Sequence, residues 1–369
     1  MVNETPGDAI RERLGQRGWT QSDLARLIDK TVAAVNEVIQ GKRSITPDMA
    51  ALLGAAFGDP PAYWLTLDAQ NRAVSSDPAA EEVRRRVKLY ELAPVREIER
   101  RGWIRRTDDA LGLEQELKRF FGVSSLDDEP TIHVAMRRTD TGEPTSPAQR
   151  AWCFRARTIA STLRVKKFSG SALVDCAQRI RSLAAFPEES RKLSGVLADF
   201  GIRFVIVEPL AGSKIDGASL WLDESSPLIA VSVRYDRVDA FWHTVVHEFV
   251  HIRNRDAISV DVALAGDDQV PHAMKSGSER RADEGAADLL VPKEQLESFI
   301  VRVGPLYSKA RIIQFANKVK MHPGIVVGQL QYRGELGYRL NREMLVKIRH
   351  IVTSVAVTDG WGNSLPAEF

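Results

Sequence analysis

The chain has little cysteine, no long apolar run and almost no net charge, and each shortage excludes something. Two cysteines, Cys153 and Cys176, stand in 369 residues without a CxxC spacing. That rules out a cysteine metal cluster and suits a reducing cytosol. No stretch reaches the 18 or more uninterrupted apolar residues that cross a bilayer, so no membrane partner is expected. The opening residues MVNETPGDAIRERLGQRGW contain acids and lack an apolar core, which argues against a secretory leader and for a cytoplasmic protein. A net charge of +2 excludes a protein that binds polyanions with its whole surface. What is present, 44% hydrophobic and 27% charged residues, fits a well-cored globular chain long enough for two or three domains.

Composition and punctuation divide the chain. Residues 1–72 have helical periodicity broken by short polar turns. Residues 73–82, rich in Ser, Ala, Asp and Pro, read as a linker. Residues 83–195 form a helical connecting region, and the basic run Arg84–Lys88 near its start reads as a solvated helix face. In 196–300 the period changes. GIRFVIVEPL, SLWL and PLIAVSVRY are short β-branched runs read as strands, and RVDAFWHTVVHEFVHIRN and SERRADEGAADLLVP return to helical spacing, the second ended by Pro292. Residues 301–369 are helical again. The fold class expected is α+β and predominantly helical.

The segment HTVVHEFVH, residues 243–251, holds three of the seven histidines. On a helix, side chains four apart lie on one face about 5–6 Å apart, so two neighbouring histidines can share an ion. Positions eight apart are about 12 Å apart along the axis and cannot. Only His247 and His251 enclose a suitably placed glutamate, giving an HExxH motif. Glu248 is then the general base for a metal-bound water, and Zn2+ the expected cofactor. A catalytic zinc site needs a third protein ligand. The downstream helix offers Glu279, assigned here as that ligand, and one turn later Asp283, which could orient a ligand imidazole. A metal-free structural remnant is the alternative. His243 is read as a packing or outer residue rather than a ligand, and His272 as a possible substrate-side donor.

GWTQSDLARLIDKTVAAVNEVIQGKRSITPDMAALLGAAFG contains two short helices in tight succession. Leu24, Ala25, Ile28, Val35, Val38 and Ile39 would face one core, Thr20 would cap the first helix and Gly41 close the second. The helix starting near Thr31 is then the recognition helix of a helix-turn-helix. Thr31, Val32, Ala33 and Asn36 would face base edges, with Gln21, Lys42 and Arg43 on phosphates. Seven basic against nine acidic residues in 1–70 weaken non-specific DNA attraction, and a helical dimerisation or partner-binding module is the alternative. One such helix reads few base pairs, so a homodimer on double-stranded operator DNA is expected.

Residues 5–70, through PGDAIRERLGQRGWTQSDLARLID, IQGKRSITPDMAALLGAAFG and YWLTL, resemble the HigA-type antitoxins, helix-turn-helix repressors of the lambda-repressor-like fold. From about 90 onward, RGWI, GIRFVIVEPLAGSKIDGASLWLD, RYDRVDAFW, HEFVH, ERRADEGAADLLVP and HPGIVVGQLQ resemble the ImmA/IrrE family of metallopeptidases. That resemblance implies a zincin-like, zinc-dependent endopeptidase fold, some of whose members cleave helix-turn-helix repressors, and supports the roles given to His247, Glu248, His251 and Glu279. Two departures stand out. Gly285 replaces a phenylalanine usual in the acidic helix, which should weaken its packing, and His243 stands where many relatives have an apolar residue. Residues 312–336, punctuated like a second helix pair, look like a helical cap on the peptidase fold. Two functions follow: a DNA-binding regulator with a working peptidase that acts on a regulatory protein, or an antitoxin-like repressor that neutralises a toxin by contact and keeps the peptidase-like domain as a scaffold or sensor.

Overall fold

The structure, a computed structural model, describes residues 4–74, 78–127, 130, 146–256, 259–262 and 275–361. The chain divides into two compact units, Met1–Val87 and Lys88–Phe369. Among the described residues no helix is long and apolar enough to cross a membrane.

The first unit is built from α1 (Pro6–Arg17), α2 (Gln21–Leu27), α3 (Val32–Ile39), α4 (Pro47–Phe57) and α5 (Pro61–Val74). Thr5, Thr20, Thr31 and Thr46 cap the first four, each hydroxyl accepting from a backbone N–H three residues on. Such caps satisfy donors that a helix start leaves orphaned, at about 1 kcal/mol each. Ile10, Leu24, Ile28, Val35, Val38, Leu53 and Trp64 close one core, which includes all six positions expected from the periodicity. Two basic residues of α1 hold this unit together: Arg13 pairs with Asp59 at 2.7 Å, and Arg17 donates to the Phe57 carbonyl at 2.7 Å.

Helix α6 (Pro78–Leu92) runs across the boundary between the units. The expected linker 73–82 is therefore helical at both ends. Proline suits the first turn of a helix, where its missing N–H has no intrahelical acceptor, so Pro78 begins an element that composition had suggested as a loop. Arg84 pairs with Glu81 and Arg86 with Glu82 along its surface.

The second unit continues through α7 (Val95–Arg100), α8 (Ala110–Phe121), α9 (Pro147–Ser161), α10 (Leu173–Leu183), α11 (Leu193–Asp199), β1 (Arg203–Ile206), β2 (Ile215–Trp221), β3 (Pro227–Val231), α12 (Val238–Asn254) and β4 (Ser259–Val262). It ends with α13 (Gly277–Leu290), α14 (Lys293–Val303), α15 (Lys309–Val319), α16 (Pro323–Tyr332), α17 (Arg349–Val352) and β5 (Val357–Thr358). The strands form one mixed sheet in the order β4-β2-β3-β1-β5. β1 is parallel to β3 and β5, and β2 is antiparallel to β3 and β4. Alternate residues serve opposite faces. Val205, Ala218, Leu220, Leu228 and Ala230 pack with α8 and α9 residues such as Leu117 and Trp152, while Phe204, Ile206, Ile229 and Val231 pack with Phe241, Val245 and Phe249 of α12. Burial on both faces is why β1 and β3 read as nearly continuous apolar runs.

The expected divisions near residues 195 and 300 do not mark separate cores. One core joins Leu173, Ile180 and Leu197 to α12 and to Ile312, Phe315 and Val326 of the C-terminal helices. α16 lies directly on α12: an added Cβ at Gly328 would sit 2.5 Å from an Asp239 oxygen. The pair α15–α16 is thus part of the layer that buries α12.

Candidate metal centre and nucleic-acid interface

Helix α12 is buried nearly all round, with His247 and Glu248 wholly inaccessible and His251 1% exposed. Polar groups survive such burial only when paired, because desolvation otherwise costs several kcal/mol. Beside it, α13 begins at Ser276, whose hydroxyl accepts from the Glu279 N–H at 3.2 Å. That cap fixes the first turn and aims Glu279 at α12. The two helices pack closely where α13 carries Gly285: a Cβ there would meet both Val250 methyl carbons at 3.3 Å. Gly285 was expected to weaken this packing; instead its missing side chain lets α13 approach.

Three ligand-type side chains converge between the helices. His247 Nε2 is 3.0 Å from His251 Nε2 and 3.2 Å from Glu279 Oε2, and His251 Nε2 is 3.4 Å from Glu279 Oε1. A tetrahedral ion with bonds of about 2.0–2.1 Å holds its ligand atoms about 3.3 Å apart, so the residues fit zinc. The far ring nitrogens face carboxylates: His247 Nδ1 lies 3.0 Å from Asp283 Oδ1, and His251 Nδ1 is hydrogen-bonded to Asp256 Oδ2 at 2.9 Å. A carboxylate at Nδ1 favours the tautomer protonated there, which turns the Nε2 lone pairs toward the shared centre.

Asp283 is the hub of a second cluster, with His243 and His247. Its Oδ2 accepts from Lys275 Nζ at 2.7 Å, and His243 Nε2 is 3.7 Å from its Oδ1. Burial raises the Asp283 pKa, but the nearby imidazoles of His243 and His247 outweigh it and hold the carboxyl well below the usual range. His243 is not a core packing residue. Its side chain is 23% exposed beside Asp283, with its ring 6.5 Å from that of Tyr332, while Asp239, one turn before it, pairs with Arg237. His272 lies outside the described residues.

Glu248 belongs to neither cluster. It lies on the sheet-facing side of α12 with Thr244, against β2 at Gly217, where a Cβ would sit 2.6 Å from its Oε1. Asp256, Lys275, Tyr332 and Gly217 escaped the sequence reading. Asp256 follows His251 by five residues, a spacing with no regular helical meaning, and the others reach the site only through packing.

In the first unit, α2 and α3 join through a turn in which Asp29 has φ 51°. Thr31, Ala33, Lys42 and Arg43 are exposed and Gln21 and Asn36 are half-buried, while Val32 is 46% exposed. The Thr31 hydroxyl accepts from the Ala34 N–H at 3.1 Å, so its first task is to cap α3. Asn36 Oδ1 accepts from Gln40 at 3.2 Å, and Arg43 lies 3.5 Å from Glu37 in an exposed pair, a contact weak enough to exchange for a phosphate. The turn after α3 carries Gly41 at φ 70°.

Residues 10–64 match the helix-turn-helix family. The chain is similar to an uncharacterized HTH-type transcriptional regulator, YddM, of Escherichia coli, at 32% identity over 17% of this chain and 66% of that protein. It is also similar to virulence-associated protein A' of Dichelobacter nodosus, at 39% identity over 18% of this chain and 57% of that one. The chain thus spans 66% and 57% of the lengths of these relatives, which are matched by less than a fifth of its own. Residues 10–64, which run from within α1 to within α5 and contain the α2–α3 pair with its tight turn, are a helix-turn-helix domain.

Proposed function

We propose that this protein is a DNA-binding transcriptional regulator whose second unit holds zinc and acts as an endopeptidase on a regulatory protein. The name of the Escherichia coli relative and the exposed start of α3 support the DNA half. The other half rests on one observation: His247, His251 and Glu279 converge at 3.0–3.4 Å with a carboxylate behind each imidazole. Zinc held by these residues would supply Lewis acidity toward a peptide carbonyl and make a bound water acidic. The chain's own residues do the rest. Asp283 and Asp256 orient the imidazoles, α12 and the sheet exclude bulk water, and Glu248 takes the proton of the attacking water. His243 and Tyr332, partly exposed at the rim, are placed to meet a substrate.

The place of Glu248 favours a second reading. It is wholly buried against β2 and is not one of the grouped ligand atoms, so it acts as base only where water and a substrate reach it. If they do not, the unit is a zinc-held scaffold or sensor in a repressor that neutralises its partner by contact. The deciding experiment compares native protein, His247→Ala, Glu279→Ala and Glu248→Gln for zinc content and for cleavage of a peptide library read by mass spectrometry. About one zinc per chain, lost in the first two variants, with cleavage lost also in Glu248→Gln, supports the peptidase. Zinc without cleavage in the native protein supports the scaffold. No zinc after reconstitution defeats the metal reading.

A further inference from the structure

We infer that Asp256 is the positioning residue for the metal ligand His251, an inference that rests on the zinc reading above. The chain is routed to make it so. Helix α12 ends at Arg255, which takes the left-handed conformation at φ 52°, ψ 37°, one that a side-chain-bearing residue disfavours. This reversal carries the next residue back under the last turn. The Asp256 N–H donates to the His251 carbonyl at 3.0 Å, and Asp256 Oδ2 meets His251 Nδ1 at 2.9 Å. One residue therefore grips both the backbone and the ring of the same histidine. Arg255 itself is held with its guanidinium 5.7 Å from the Trp221 ring, so the unfavourable conformer is anchored at the sheet.

The ring contact does more than close the helix. A carboxylate at Nδ1 fixes the imidazole's rotation about its last torsion and its tautomer, and so presents the Nε2 lone pair to His247 and Glu279. On the other helix, Arg281 reaches to 3.9 Å from Asp256 Oδ1, so the same carboxylate also faces the helix that supplies the third ligand. Asp283 performs the matching task for His247, but it shares its charge with Lys275 and His243. Among the described residues, Asp256 meets no imidazole but that of His251.

The experiment measures zinc affinity of the full chain by chelator competition, together with the visible absorption of the cobalt-substituted protein, in the native form, Asp256→Ala and Asp256→Asn. The expected result is a 10–100-fold loss of zinc affinity in Asp256→Ala, the range typical when a partner of a ligating histidine is removed. The cobalt bands should change with it. Asp256→Asn, whose amide oxygen still accepts from Nδ1–H, should recover a large part of the affinity. The helix-closing bond uses the backbone N–H, which both variants keep, so a purely capping role predicts three equal affinities; that result would overturn the inference. If the native protein takes up no more zinc than His247→Ala, the metal reading itself has failed, and this inference with it.

Discussion

Gly217 is the point where the backbone of β2 meets the helix that carries the HExxH sequence, and adding one carbon there tests the placement of Glu248 directly. In Gly217→Ala the new Cβ would sit 2.6 Å from Glu248 Oε1 and 2.7 Å from Thr244 Cγ2. Both distances are shorter than a Cβ contact in a folded protein; the Glu248 carboxylate end can swing aside, but the Thr244 methyl, one bond from its Cβ, gives way only if Thr244 rotates or the helix shifts against the strand. The glycine's φ is not in the left-handed region, so backbone preference adds no second penalty and the effect is steric. Overpacking of this kind costs about 1–3 kcal/mol, and a unit of this size loses roughly 2–4 °C of Tm per kcal/mol. A fall of about 4–8 °C in the calorimetric transition of the full chain is therefore expected for a mid-range cost. Thr244→Ser removes the Cγ2 methyl, one of the two clashes. In the Gly217→Ala background it should restore part of the loss, though in the native background it removes buried carbon and destabilises. That opposite sign is a coupling a double-mutant cycle reads directly. Gly217→Ala with an unchanged Tm, or effects of the two substitutions that simply add, would mean Glu248 and Thr244 do not face β2.

Further outcomes follow from the same geometry. Asn36→Ala should weaken specific operator binding, at about 1–3 kcal/mol for a lost base contact, far more than non-specific binding. Lys42→Ala should weaken both alike and reduce the salt slope by about 1; titrations by fluorescence anisotropy at several salt concentrations separate the two, and equal losses in Asn36→Ala would remove α3 from the major groove. Both cysteines are buried and free, with burial pushing the Cys176 thiol up to about 12 and burial plus the Glu248 charge pushing up Cys153. Neither should react with a thiol reagent at pH 8 until the chain is denatured, when two equivalents should be consumed. Burial, reinforced by the hydrogen bond to Glu335 at 2.7 Å, raises Tyr307 to about 12 from 10.0. A raised folded-state value means its contribution to stability is intact below pH 10 and lost as pH climbs toward 12. In an alkaline absorbance titration Tyr307 should ionise late, and Glu335→Gln should bring it forward; identical titrations would show that Glu335 does not act on it.

Local chemistry carried far enough to be read without a fold. Thr20 before Gln21 and the apolar spacing of Leu24, Ile28, Val35 and Ile39 specify two capped helices and their shared face, because caps and periodicity act within a turn or two. The same holds for His247 and His251, whose spacing alone puts both on one face. β1 and β3 too were legible, since burial on both faces left them mostly apolar, whereas β4 and the two-residue β5, in a region expected to be helical, were not. Tertiary structure decided the rest. That Glu279 meets the histidines depends on α13 packing against α12 through Gly285, a glycine whose use appears only once Val250 stands opposite. Asp256 reaches His251 only because Arg255 turns left-handed, and Glu248 lies against Gly217 only because β2 runs beneath α12. Pro78 began a helix where composition suggested a linker, since a proline reads the same in a loop and in a first turn. Contacts between residues distant in sequence are set by how whole faces fit, and no short stretch of the chain contains that information.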